Sequence, residues 1–117
     1  MASPDAIATN IKNGALQRLG IVGAGNTAAP EDSVLAGLVL DEMIDDAYER
    51  GDIGFVKEAL DDTLVHGLKA MLAYDLAPYF SKPRTADLRE DSQRARIEFR
   101  KRAASPSSGE PVKAEYF

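Results

Sequence analysis

Gly23-Ala-Gly25-Asn-Thr-Ala28 is the first group of residues whose type and spacing could do chemistry. It fits G-x-G-x-x-A, in which glycines let the backbone approach a pyrophosphate at a helix N-terminus. That use requires a buried strand in front, and only Ile21 and Val22 separate Gly23 from Gly20. Behind it, Pro30 would fall in or near the first turn of the phosphate-binding helix, where it removes an N–H and fixes φ. The same residues serve better as a joint between two helices. Gly20 stops the first, Gly23 and Gly25 shape the turn, and Pro30 opens the second, with Glu31 and Asp32 at the positive end of its dipole.

Two carboxylate pairs, Asp45-Asp46 and Asp61-Asp62, invite comparison with the acid/base couple of a glycosidase acting on cell walls. Neighbours on a helix point about 100° apart, and neither pair has the aromatic and polar flanks of a sugar cleft. A solvated helix face and a helix cap are the expected roles. His66 has only Asp62 within reach as a helical neighbour, whereas a zinc ion needs about four ligands. No metal, no cofactor and no catalytic residue is therefore expected. Arg94, Arg96, Arg100, Lys101 and Arg102 form a basic helix of the kind a small DNA-binding regulator would need. Glu90, Asp91 and Glu98 interrupt it, so contact with another subunit is the expectation.

Four helical segments must position these groups. Ser3-Pro4-Asp5 reads as an N-cap, a first position and an acidic first turn, ahead of Ile7, Ile11, Ala15 and Leu19 at four-residue intervals; the helix runs over about 4–19. The second spans 30–50, with Leu35, Val39, Leu40, Met43, Ile44 and Ala47 inward and Asp41, Glu42, Asp45 and Glu49 outward. Gly51 to Phe55 breaks the period as an extended turn or short strand. Asp61 or Asp62 caps a third, central helix through Leu64, Leu68, Met71, Leu72, Leu76 and Tyr79, which Pro78 ends or kinks. The fourth, about 85–103, has a narrow stripe of Leu88, Ala95 and Phe99 and is expected to project as a charged arm. The prediction is an all-α bundle over residues 1–104, with a flexible C-terminal tail over 105–117, where Ser105-Pro-Ser-Ser-Gly-Glu-Pro111 has linker composition.

At 117 residues the chain is long enough for one domain. It contains no cysteine, so a disulfide framework is excluded. No apolar run nears the roughly 20 residues of a membrane span, and Asp5 without an early Lys or Arg gives no signal-peptide start. A soluble protein that is not conventionally exported is expected. Charge is segregated: residues 1–76 carry 13 acidic against 5 basic residues, residues 82–102 carry 4 against 8. Two differently charged surfaces suit ordered contacts with copies of the chain or with a partner.

Three segments carry a family resemblance: Ala15-Leu-Gln-Arg-Leu-Gly-Ile-Val-Gly-Ala-Gly-Asn-Thr-Ala-Ala-Pro-Glu-Asp32, Leu38-Val-Leu-Asp-Glu-Met-Ile-Asp-Asp46 and Gly67-Leu-Lys-Ala-Met-Leu-Ala-Tyr-Asp-Leu-Ala-Pro-Tyr79. In order and spacing, over about residues 7–102, the chain resembles the tail accessory factors, or head-to-tail adaptors, of short-tailed bacteriophages. Where that family places a tryptophan at the end of the second helix, this chain has Ala47-Tyr48. The resemblance implies a helical, non-enzymatic virion protein, assembled in the host cytoplasm as a twelve-membered ring beneath the portal protein. Such a ring extends the DNA channel, helps to retain packaged DNA and offers the attachment site for a tail nozzle or tail tube protein. Double-stranded DNA would pass through without sequence-specific binding. On this reading Gly20, Gly23, Gly25 and Pro30 shape the joint, Arg94, Arg96 and Arg100 meet a neighbouring subunit or the portal, and Tyr116 and Phe117 dock the tail.

Overall fold

The computed structural model describes residues 3–23, 26 and 28–104. Four helices form an all-α bundle: α1 (Pro4–Arg18), α2 (Pro30–Arg50), α3 (Val65–Leu76) and α4 (Ala86–Ala104), with 3-10 turns at Lys57–Ala59, Asp62–Leu64 and Ala77–Phe80. The predicted tail over 105–117 lies outside the described residues.

Helix boundaries follow from local chemistry. The Ser3 hydroxyl accepts from the Ala6 N–H at 3.2 Å and Pro4 takes the first turn of α1, so orphan donors are capped or absent. At the other end, Gly20 adopts φ 78°, its N–H reaches the Gln17 carbonyl at 3.0 Å, and the Ile21 N–H reaches that of Leu16 at 2.9 Å. Gly51 repeats this at the end of α2 with φ 82°, through Gly51 N–H to Tyr48 at 3.1 Å and Asp52 N–H to Ala47 at 2.9 Å. Both glycines supply the left-handed residue that lets the last carbonyls of a helix be satisfied by the chain turning back. Ser81 plays the same part after Ala77–Phe80, at φ 57°, a conformation a side chain adopts only at a cost.

α3 is the centre of the bundle. Seven of its 12 residues are buried, too many for one stripe, and it packs against α1, α2 and α4. Leu68, Met71, Leu72 and Leu76 meet Ile11 and Leu16 of α1 and Leu40 and Ile44 of α2 in one fully buried core. The loop from Gly51 to Asp61 has no strand and plugs the core with Ile53 and Leu60, 2% and 5% exposed.

Pro78 ends α3, as the sequence leads one to expect. The α-helix stops at Leu76 and tightens into a 3-10 turn through Phe80. Pro78 has no N–H to give the Tyr74 carbonyl four residues back. Arg84 replaces it: its Nε donates to that carbonyl at 3.0 Å while the guanidinium lies 4.2 Å from the centre of the Tyr74 ring.

A correction concerns α4. It does not project as an arm but lies along α3, burying Leu88, Ser92, Ala95 and Phe99. The stripe is narrow, yet Gly67 on α3 has no side chain to hold it off: a Cβ there would sit 2.7 Å from Phe99 Cζ. The missing methyl group on α3 makes room for the Phe99 ring, which also meets Phe55 edge-on at 5.5 Å between centroids.

Candidate interaction site

The joint expected from the glycines is described at residues 20–23, 26 and 28–30. Ile21 and Val22 form a bend, and the Asn26 N–H closes back on the Gly23 carbonyl at 3.0 Å. Pro30 starts α2 as expected; Ala29 offers it no side-chain cap, so Glu31 and Asp32 in the first turn carry the electrostatic role. Gly25 lies outside the described residues, as do Tyr116 and Phe117.

The arginines of α4 fall into two groups. Arg96 and Arg100 point back into the bundle, where Asp52, with a side chain only 13% exposed, receives both. Arg100 Nε donates to Asp52 Oδ1 at 3.0 Å, and Arg96 stands 3.7 Å from Asp52 Oδ2 and 3.9 Å from Asp75 Oδ2. Arg96 is thus committed to intrachain pairing. Arg94 pairs along the helix with Asp91 at 3.1 Å, and Asp91 also takes Arg18 of α1. Sequence reasoning missed Asp52, Asp75, Asp91, Arg18 and Arg84 as the partners that fasten α4 and the end of α3. Their ion pairs span up to 73 residues and leave no local signal.

Two of these carboxyls are displaced in opposite directions. Burial pushes the Asp75 carboxyl up, with Arg96 and Arg84 opposing and the charge of Asp46 reinforcing. The hydrogen bond from Arg18 holds the Asp91 carboxyl below the usual carboxylate range, with further help from Arg94. On α2, Asp41 accepts from Lys57 at 3.0 Å and raises the lysine, which anchors the loop turn to the helix.

Asp75 opens into a cleft of about 640 Å³ with Glu42, Met43, Asp46, Tyr79 and Arg84. The carboxylate pairs of the sequence are divided otherwise. Asp46 bridges Arg50 at 3.1 Å, whereas Asp61 accepts from the Thr63 N–H at 2.9 Å and caps the turn into α3. Asp45, Asp62 and His66 are exposed, and His66 forms no bridge to Asp62 among the described residues. No cluster of three metal-ligating side chains occurs among the described residues.

The outward faces differ more than the clefts. α2 shows solvent Glu31, Val34, Leu38, Glu42, Asp45 and Glu49 at three- and four-residue steps, with Val34 63% and Leu38 59% exposed. On α4, Ile97 is 48% exposed, and the residues three and four positions away are Gln93, Arg94, Arg100 and Lys101. One face is apolar and acidic, the other apolar and cationic. Comparison with protein-family models, with curated proteins and with solved structures finds no match to this chain.

Proposed function

We propose that this chain is a structural head-to-tail adaptor of a short-tailed bacteriophage, which assembles as a ring beneath the portal protein at the virion's portal vertex. There it extends the DNA channel, helps to retain the packaged genome and presents the attachment site for a tail nozzle or tail tube protein. One observation carries the reading. The three segments that resemble the adaptor family contribute Ala15 and Leu16, Leu40 and Ile44, and Leu68 and Leu72 to a single buried core. Their order and spacing along the chain are the spacing of packing partners, a property a chance pattern need not have. Arg94 and Arg100 keep one edge in solvent for a subunit or portal, while Arg96 serves the fold. The excess of carboxylates over residues 1–76 also suits a DNA channel, since lysine and arginine contacts to phosphate would slow passage.

The test is the size of the chain alone and mixed with the portal protein encoded beside it, by light scattering or sedimentation. A ring of defined stoichiometry on the portal is expected; no association overturns the reading. Removing residues 105–117 should leave the helical fold intact and weaken portal binding, and unchanged binding rejects a docking role for Tyr116 and Phe117.

The Asp75 cleft favours one rival, a cell-wall hydrolase, because a carboxyl raised by burial, lining one cleft with a second carboxyl group, Asp46, resembles a general acid with its partner. That rival requires purified peptidoglycan to be cleared, and clearing to be lost in Asp75→Asn. The adaptor leaves peptidoglycan intact.

A further inference from the structure

We propose that the outward face of α2 docks on the outward face of α4 of a second copy of this chain, with Ile97 seated against Val34 and Leu38. Around that apolar contact, Arg100 and Lys101 meet Glu42 and Asp45 on one side and Arg94 meets Glu31 on the other. The proposal rests on the adaptor reading and names the surfaces that would close its ring.

Charge complementarity identifies the occupant. The exposed line of α2 carries four carboxylates and no cation, while Ile97 on α4 has three cations and no acid at helical-neighbour positions. The acids of α2 also stand where an isolated helix would not place them. Glu42, Asp45 and Glu49 are three or four residues apart, a spacing at which like charges repel, and they lie in its C-terminal half, toward the negative end of the dipole. Arg50 bridging Asp46 and Lys57 bridging Asp41 offset them only in part. A cationic helix laid across this face removes both penalties, which gives the contact a driving force beyond the burial of three aliphatic side chains.

The cations retain donors for it. Arg94 uses Nη1 for Asp91 and Arg100 uses Nε for Asp52, so each guanidinium, with five N–H groups, has others to give. α2 and α4 both pack on α3 and have no extensive contact with each other among the described residues, so one copy offers both faces at once. Two different patches make the contact heterologous, which propagates head to tail and closes into a ring where the rotation allows.

The chain has no cysteine, so single cysteines report the contact. Full-length Leu38→Cys and Ile97→Cys chains, mixed in equal amounts and oxidised, should give the mixed disulfide in at least tenfold excess over either homodimer. A random mixture, or a predominant homodimer, overturns the proposal. A second measurement uses the ring on the portal. Glu42→Lys with Asp45→Lys should cut ring assembly at least tenfold, and adding Lys101→Glu in the same chain should restore part of it. Full assembly of the first double variant overturns the assigned faces and leaves the adaptor reading standing. Failure of the unaltered chain to join the portal overturns that reading instead.

Discussion

α2 buries six side chains, all apolar, against α1 and α3, whereas α4 buries four, one of them a serine, and takes the rest of its attachment from charge. Asp91 ties one part of α4 to Arg18 of α1, and Asp52 ties Arg96 and Arg100 to the loop after α2. The first kind of attachment is non-directional and is not weakened by ionic screening. The second depends on geometry, pH and ionic strength. A helix held in the second way is the one that local opening would release first, so α4 is the element whose loss should be separable from loss of the fold.

Phe99→Ala is the strongest way to break the contrast. Phe99 is 4% exposed and fills the space over Gly67 against Phe55, and truncating such a ring costs about 3–5 kcal/mol. If α4 is a separable element, hydrogen exchange should accelerate along α4 well before it does in α2. Uniform acceleration would show that the two helices form one cooperative unit.

Asp52→Ala comes next, with an expected loss of about 1.5–3 kcal/mol, because it removes a nearly buried acceptor of two charged donors. The loss should shrink in high salt, measured by urea melts at two ionic strengths. The corresponding loss in Leu40→Ala of α2 should not. Equal salt dependence in both variants would erase the distinction between the helices.

How each helix could be read from the sequence follows the same division. α1 and α2 are punctuated by residues with a single local meaning, Ser3-Pro4, Gly20, Pro30 and Gly51, and their apolar faces are broad; their ends fall within a residue of the expected places. The docking of α4 was not legible, since Ser92 and Ala95 dilute its stripe and the receiving position on α3 is a glycine. Gly67 facing Ala95 and Phe99 was the available signal: small residues at one helical level mark close approach. The cations of α4 were legible as a group, but not which of them turn inward. That depends on Asp52 and Asp75, which are distant in sequence and carry no pattern. The cleft around Asp75 was missed for the same reason.

Gly67→Ala sharpens this point with a smaller effect. A methyl group normally gains up to about 1 kcal/mol in a helix, but here it would stand 2.7 Å from Phe99 Cζ. Displacing a packed ring costs about 1–3 kcal/mol, so the variant should be destabilised despite its better propensity. Combined with Phe99→Ala it should become neutral or stabilising, and additive losses in thermal melts would reject the contact as the cause.

The smallest effect is one of sign. Burial raises the Asp75 carboxyl, so the folded state binds its proton more tightly than the unfolded chain does. Its favourable contribution is full below the unfolded value, near 3.9, and is lost as pH rises through the folded value; once ionised, the group is a cost that Arg96 and Arg84 only partly offset. Asp91 is the opposite case. Its carboxyl is lowered by Arg18, and its contribution is present above the unfolded value and lost as pH falls through the folded one. Asp75→Asn should therefore be neutral to stabilising, by ~0.5 kcal/mol at pH 7, with no gain near pH 3, whereas Asp91→Asn should be destabilising at pH 7, by an amount that shrinks as pH falls below the unfolded value. Thermal melts of both variants across that range should move in opposite directions. A shared direction would mean that Arg96 governs Asp75 as Arg18 governs Asp91, and that α4 is held by one kind of ion pair along its whole length.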